Sequence, residues 1–142
     1  MYYYLINFVD LMNFTEEDKV IEVAKYYTWM GKDGIVRSVV KKNAEVSLAD
    51  AKENTAAVET FYYGKKYPLL IDARSVKSVS KEARDHFSLR GRDSVVNSFA
   101  IIISSPLSRI IGNFFMGLNK PTVPMRLFDN EKDAIKWLKK FL

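Results

Sequence analysis

Residues 95–106 read VVNSFAIIISSP, and this stretch decides the fold. Its first nine residues are the most hydrophobic strand candidate in the chain, and such a continuous apolar run is typical of a strand buried on both faces. Ser105 followed by Pro106 is a typical helix start, because serine caps the free N–H groups and proline fits the first turn. The stretch therefore predicts a strand followed directly by a helix, the repeating unit of an α/β protein.

Upstream of this stretch, the sequence predicts a hairpin, a helix and a further strand, among other elements. Residues 67–73 (YPLLIDA) contain a second short apolar run that suits a buried parallel strand. Before it, Ser47 opens a predicted helix, with Asp50 three residues later in a weak form of the capping box. Residues 20–30 and 35–41 are rich in β-branched and aromatic residues and flank a Gly-Lys-Asp-Gly turn, so they predict an antiparallel hairpin.

The remaining segments complete the predicted order of elements. Ser80 is expected to cap a helix that ends near Leu89. A second, unusually apolar helix is expected over 107–118, after the Ser105 cap and Pro106. Residues 122–128 (TVPMRLF) predict the last strand, and Asp129 is expected to cap the final helix. The order β-β-α-β-α-β-α-β-α predicts a mixed, mainly parallel sheet with an N-terminal β-hairpin and helices packed on it.

Length and composition predict one domain. The chain has 142 residues, of which 48% are hydrophobic and 27% charged, enough to bury one core. Residues 1–14 form an apolar N-terminal segment, and residues 15–142 form the predicted single domain. Residues 1–14 show no signal-peptide pattern and fall short of the roughly 20 apolar residues of a membrane helix. We therefore expect a cytoplasmic protein without a transmembrane segment, in which Met12 is an alternative start.

Cysteine and histidine counts exclude several functional classes. The absence of cysteine excludes disulfides and thiolate chemistry, and a single histidine excludes a multi-histidine metal site within one chain. We expect no cofactor. Residues 1–71 carry 9 Lys/Arg and 10 Asp/Glu, whereas residues 72–142 carry 13 and 7. This basic half forms no run of like charges, so we expect no nucleic-acid partner.

The predicted order resembles the STAS fold of bacterial anti-sigma-factor antagonists, also called SpoIIAA-like, over residues 20–142. Residues 113–138 (NFFMGLNKPTVPMRLFDNEKDAIKWL) also resemble the ending of uncharacterised small bacterial proteins of STAS/Sec14-like type. The resemblance implies a non-enzymatic regulatory or protein-interaction module that docks a protein partner. Sec14-like relatives bind lipids, so the alternative is a small-ligand or lipid carrier that uses the apolar helix 107–118.

One departure from the family concerns its phosphorylation switch. In the antagonists an Asp-Ser pair starts the helix after the third strand, and that serine is phosphorylated. Here Ser80 takes the aspartate position and Lys81 the serine position, so the switch serine is expected to be missing. Ser78 or Ser80 could substitute, although a capping role is the expected one for Ser80. The resemblance implies a partner-binding surface on this helix and the loop before it, to which we assign Ser78, Ser80, Lys81 and Arg84. Phe115, on the apolar helix 107–118, is the remaining candidate partner-binding residue.

A second candidate site lies beyond the carboxyl ends of the parallel strands, where ligands of open sheets usually bind. Free helix N–H groups, serine hydroxyls and arginine side chains can together hold a phosphate or carboxylate. The residues assigned to this ligand- or anion-binding site are Asp72, Arg74, Ser104, Ser105 and Arg109. Ordinary capping and a solvated arginine are the alternative.

Further hypotheses follow from single features. An enzyme would have to use Asp72 or His86, but neither lies in a recognisable catalytic motif, so we predict no catalytic residue. The apolar face of helix 107–118, including Phe115, could be buried in the core, a protein interface or a ligand groove. A homodimer could form through the N-terminal segment or the edge of the hairpin.

Overall fold

The computed structural model describes residues 19–89, 95–104, 106, 109–110 and 123–142, without the side chains of residues 88 and 89. Three predicted features therefore lie outside the described residues: the segment 1–14, Ser105 and Phe115. Of the predicted apolar helix 107–118 and the Pro106 before it, only Pro106, Arg109 and Ile110 are described, and their backbone is helical.

Eight strands and three α-helices make up the described part of the chain. The strands are β1 (Val20–Glu22), β2 (Tyr26–Met30), β3 (Val36–Val40), β4 (Glu45–Val46), β5 (Tyr67–Asp72), β6 (Ser78–Val79), β7 (Val96–Ile102) and β8 (Met125–Phe128). The helices are α1 (Leu48–Glu59), α2 (Lys81–Leu89) and α3 (Glu131–Leu138), and a 3₁₀ turn over Lys139–Phe141 follows α3.

Six strands form the main sheet in the order β1-β2-β3-β5-β7-β8. The first three are antiparallel neighbours, whereas β3, β5, β7 and β8 pair in parallel. The other two strands, β4 and β6, form a separate parallel pair. The predicted fold class, a mixed and mainly parallel sheet with an N-terminal hairpin and packed helices, is confirmed.

Two details of the prediction were wrong. Residues 20–30 form two antiparallel strands, because Val23 N–H donates to Tyr26 O (3.0 Å) and reverses the chain at Ala24 and Lys25. Neither of those two residues favours a strand, but no glycine or proline signals the turn. Asn130 rather than Asp129 caps α3, since its side chain accepts the Asp133 N–H (2.9 Å).

The helices cover both faces of the sheet. One face carries Leu70, Ala100 and Ile102, which pack with Ala134 and Leu138 of α3. The opposite face carries Val36, Leu69 and Val96, which pack with Val58 of α1. Since paired residues of neighbouring strands share a face, the register assigns every other side chain to α3 or to the side of α1 and α2.

The starts of α1 and α2 follow the predicted chemistry. Ser47 and Asp50 form a reciprocal capping box, in which Asp50 N–H donates to Ser47 Oγ (3.3 Å) and Ser47 N–H donates to the Asp50 carboxylate (2.9 Å). Ser80 Oγ accepts the Ala83 N–H (3.1 Å) at the start of α2. These caps satisfy N–H groups that have no partner within their own helix.

Candidate functional site

Asp72 and Arg74 form a closed pair at the carboxyl end of β5. Arg74 Nε donates to Asp72 Oδ1 (3.0 Å) and Arg74 Nη2 to Oδ2 (2.6 Å), and the Arg74 backbone N–H also donates to Oδ1 (3.1 Å). Asp72 is buried, and its hydrogen bond and charge raise the pKa of Arg74. The two residues predicted to hold an anion are therefore already paired with each other.

A row of alternating charges continues from this pair toward the β2–β3 turn. Burial raises the pKa of Glu131, at the start of α3, against the opposing charges of Arg37 and Arg74. Arg37 Nε lies 3.9 Å from Glu131, while its Nη2 lies 2.7 Å from the Asp33 carboxylate. The row consists of Asp72, Arg74, Glu131, Arg37 and Asp33. Each cation of the row thus has an acidic neighbour within salt-bridge distance, Asp33 for Arg37 and Asp72 for Arg74.

Of the other predicted anion-binding residues, Ser104 and Arg109 are described, and they lie at different places relative to the Asp72–Arg74 pair. Ser104 Oγ lies 3.5 Å from the Arg74 carbonyl oxygen, at the outer limit of a hydrogen bond. Arg109 instead lines a cleft next to β8 and α3. Among the described members of the predicted site, Asp72 and Arg74 are therefore paired with each other, whereas Arg109 lines a separate cleft.

The cleft beside β8 is polar and open, with a volume of about 480 Å³. Four cationic side chains line it, together with two aspartates and the apolar side chains Phe128 and Trp137. The cations are Arg109, Arg126, Lys136 and Lys140, and the aspartates are Asp129 and Asp133. We call the depression lined by these four cations the cationic cleft. They come from three separate segments of the chain, which the sheet and α3 bring together.

The charges in the cationic cleft are not balanced locally. Asn130 Nδ2 donates to Asp129 Oδ1 (2.7 Å) and to Asp133 Oδ2 (2.9 Å), so both aspartates accept a hydrogen bond from the residue that caps α3. Within the described part of the chain, none of the four cations lies within salt-bridge distance of a carboxylate. Arg126 lies 5.5 Å from the centre of the Phe128 ring, a cation–π distance. The cleft therefore presents a net positive charge to solvent.

The predicted partner-binding residues around α2 have contacts within the chain. Ser78 belongs to β6, and Ser80 caps α2. Lys81 Nζ lies 2.9 Å from the Asp85 carboxylate, and Arg84 Nη1 donates to the Val79 carbonyl oxygen (2.8 Å). Lys81 remains exposed, and the Asp85 hydrogen bond and charge raise its pKa. The polar side chains of Ser80, Lys81 and Arg84 thus already make hydrogen bonds or an ion pair within the chain.

An apolar cavity of about 100 Å³ lies between the sheet and the two helices α1 and α2. Val58, Leu69, Phe87, Phe99 and Met125 are among its lining residues. Most of the other lining side chains are also apolar, which is the usual character of a pocket for a small organic ligand.

Polar groups of α1 stand at one side of this cavity. Asn54 lines the cavity, and its Nδ2 donates to Ser38 Oγ (3.0 Å) and Thr28 Oγ1 (3.3 Å), which also bond to each other (3.0 Å). Thr55 Oγ1 lies 3.0 Å from His86 Nε2. The histidine considered for an enzyme is thus bonded to a threonine hydroxyl of α1.

Sequence reasoning named Arg109 but missed Arg126, Lys136 and Lys140. The only signal available was the basic balance of residues 72–142, which does not say which cations converge. In the parts of the chain that the structure describes, no cluster of three or more His, Asp or Glu side chains could hold a metal ion. The helices described there are also too short or too polar to cross a membrane.

Comparisons with known proteins give one family and two similar structures. The profile of a domain of unknown function, DUF7793, matches residues 28–142. The sequence matches none of the curated proteins. An uncharacterised protein of the DUF3478 family from Shewanella loihica PV-4, described as having a SpoIIAA-like fold, is 20% identical over 85% of this chain and 91% of its own, with a TM-score of 0.48. A protein of unknown function from Arthrobacter sp. FB24 is 28% identical over 78% of this chain and 90% of its own, with a TM-score of 0.31.

Proposed function

This chain belongs to the DUF7793 family, a domain of unknown function, and we propose that it is a non-enzymatic protein-interaction module that docks an acidic partner in the cationic cleft. The proposal keeps the regulatory or interaction role that the STAS resemblance implies. It moves the docking surface from α2 to the edge of the sheet. A serine phospho-switch is not part of it.

The observation that carries the proposal is the unbalanced charge of the cleft. Four cations and two aspartates line it, an excess of two positive charges, and among the described residues none of the four cations forms a salt bridge. Among the described residues, exposed lysines elsewhere, such as Lys65 and Lys66, also form no salt bridge, so it is the convergence of four cations that distinguishes the cleft. A negatively charged partner would supply the negative charge that balances the four cations. Such charge complementarity speeds association and selects the partner.

Charge reversal with a matched control tests this proposal. The first variant is K136E/K140E, within the cleft. The second is K65E/K66E, an exposed pair outside the cleft, which changes the net charge by the same amount. Binding of fluorescein-labelled poly-L-glutamate is followed by anisotropy at physiological salt, and thermal unfolding verifies that both variants fold.

The cleft variant should bind at least about tenfold more weakly than wild type, whereas the control should change by less than about threefold, because local pairing outweighs screened long-range charge. An equal loss in both variants would show attraction to net charge alone. No binding by the wild type would also refute docking at the cleft.

A second candidate function is carriage of a small apolar ligand, favoured by the cavity between the sheet, α1 and α2. Apolar cavities of this order bind small molecules such as benzene or xenon. Native mass spectrometry of freshly purified protein, compared with its denatured mass, tests this function. A reproducible excess mass that disappears on denaturation supports carriage. A clean mass, together with no stabilisation by benzene or by xenon under pressure, dismisses it.

A further inference from the structure

The strand β8 ends the main sheet next to the cationic cleft. It pairs with β7, and among the described residues no strand pairs with its other side. Phe99 N–H donates to Pro124 O and Ile103 N–H donates to Phe128 O, both at 2.9 Å. Because hydrogen-bonding groups alternate along a strand, Arg126 also faces β7, while the N–H and C=O of Leu127 point outward. This edge can accept another strand.

The side chains beside this edge select the chemistry of that strand. Arg126 and Phe128 share the sheet face on which α3 packs, because Arg126 pairs with Ala100 and Phe128 with Ile102. The cleft between this face and α3 contains Lys136 and Lys140. An added strand would therefore direct every second side chain toward these cations.

The spacing of the two lysines fits that alternation. Side chains on one face of a strand repeat about every 6.7 Å. Lys136 lies in the last turn of α3 and Lys140 in the 3₁₀ turn that follows. Four residues at these rises span about 6–7 Å. Two carboxylates separated by one residue in an extended chain thus have about the same spacing as the backbone positions of the two lysines.

We propose that the cationic cleft receives an extended segment of a partner protein, with Asp or Glu at alternate positions, that adds to the sheet along β8. This inference rests on the proposed docking of an acidic partner and specifies its backbone conformation. The main-chain hydrogen bonds with β8 hold the segment, and the alternate carboxylates set its register against Lys136 and Lys140.

Three peptides of equal charge test the inference with the intact protein. The first alternates glutamate and threonine over ten residues. The second has the same composition with the five glutamates in one block. The third repeats the alternating sequence with every second backbone nitrogen methylated, in two versions that cover both pairing frames. Anisotropy is measured for wild type, K136E/K140E and the K65E/K66E control.

The alternating peptide should bind at least about fivefold more tightly than the block peptide, and methylation in one frame should weaken it by about tenfold, since a methylated nitrogen cannot donate a hydrogen bond. When the alternating peptide is added to ¹⁵N-labelled protein, the Leu127 amide should show one of the largest changes in chemical shift. Equal binding of all peptides, with loss in K136E/K140E, would overturn strand addition but leave acidic docking intact. No selective loss in K136E/K140E would overturn both.

Discussion

Gly31, the first residue of the β2–β3 turn after Met30, can be replaced by alanine only by moving a neighbouring side chain. A Cβ at this position would lie 2.1 Å from Arg37 Nη1 and 2.7 Å from Asp33 Oδ1. Both atoms are at the ends of side chains, so the backbone need not move. Gly31→Ala therefore displaces the guanidinium of Arg37 from its place over the turn.

The cost follows from the hydrogen bonds that Arg37 makes there. Its Nη1 donates to Asp33 Oδ1 (2.9 Å) and to Ile35 O (3.0 Å), and its Nη2 donates to Asp33 Oδ2 (2.7 Å). At roughly 1.5 kcal/mol each, three charge-assisted bonds sum to about 4.5 kcal/mol before solvent exposure is considered. Asp33 is partly exposed, and both groups regain water, so we expect about 2 kcal/mol of lost stability, or about 6 °C in Tm.

A double-mutant cycle measures whether this contact is the cause. Urea unfolding is compared for wild type, G31A, R37M and G31A/R37M at pH 7. In the R37M background the guanidinium is already absent, so G31A should cost less than about 0.5 kcal/mol and the coupling should be about 1.5 kcal/mol. The same cost of G31A in both backgrounds would refute the reasoning and assign the effect to the backbone.

The pKa of Asp33 gives a second measurement of the same contact. Burial acts to raise it, but the hydrogen bond and charge of Arg37 prevail and hold the pKa below its usual value. The folded state therefore binds this proton more weakly than the unfolded chain. The stabilisation is present above about pH 4, the unfolded pKa, and is lost as the pH falls through the lower folded value. In G31A the carboxyl pKa measured by NMR should move upward.

Three further changes have defined outcomes. Asn54→Ala removes two buried hydrogen bonds but leaves the two hydroxyls bonded to each other, so urea unfolding should show a loss of about 2 kcal/mol; a loss below about 0.5 kcal/mol would contradict this role. Ser47→Ala opens the capping box of α1 and should cost about 1 kcal/mol, with an unchanged Tm as the contrary result. Burial raises the pKa of Glu131, so the ionised carboxylate lowers the free energy of unfolding at pH values above that pKa. The stability of E131Q relative to wild type should therefore fall as the pH is lowered from 7 to 4, and a constant difference would argue against the shift.

Most of the architecture could be predicted because its signals are local. The apolar run before Ser104, the capping box at Ser47 and the serine at Ser80 each determine an element within a few residues. The break at Ala24 could not be predicted, since that turn is imposed by pairing of β1 with β2 rather than by turn-forming residues. The short strands β4 and β6 depend on contacts between segments more than 30 residues apart.

The candidate site was harder to predict than the fold for the same physical reason. A carboxyl end of a strand indicates where a ligand could bind, and Asp72 and Arg74 do lie there. Sequence does not show that the two residues neutralise each other, because that depends on side-chain geometry. Nor does it show that Arg126 and Lys140 meet Arg109, since their convergence requires the packing of α3 beside β8.

The pairing of β4 with β6 has a consequence for local unfolding. Asn43 N–H donates to Ser75 O (2.9 Å), Lys77 N–H to Ala44 O (2.8 Å) and Ser80 N–H to Val46 O (2.9 Å), so the segments that precede α1 and α2 are joined by backbone hydrogen bonds. The N-terminal ends of the two helices therefore cannot move apart without breaking these bonds. In native-state hydrogen exchange, α1 and α2 should therefore open as one cooperative unit, with the amides of Lys77 and Ser80 exchanging at the same free energy as those of the two helices.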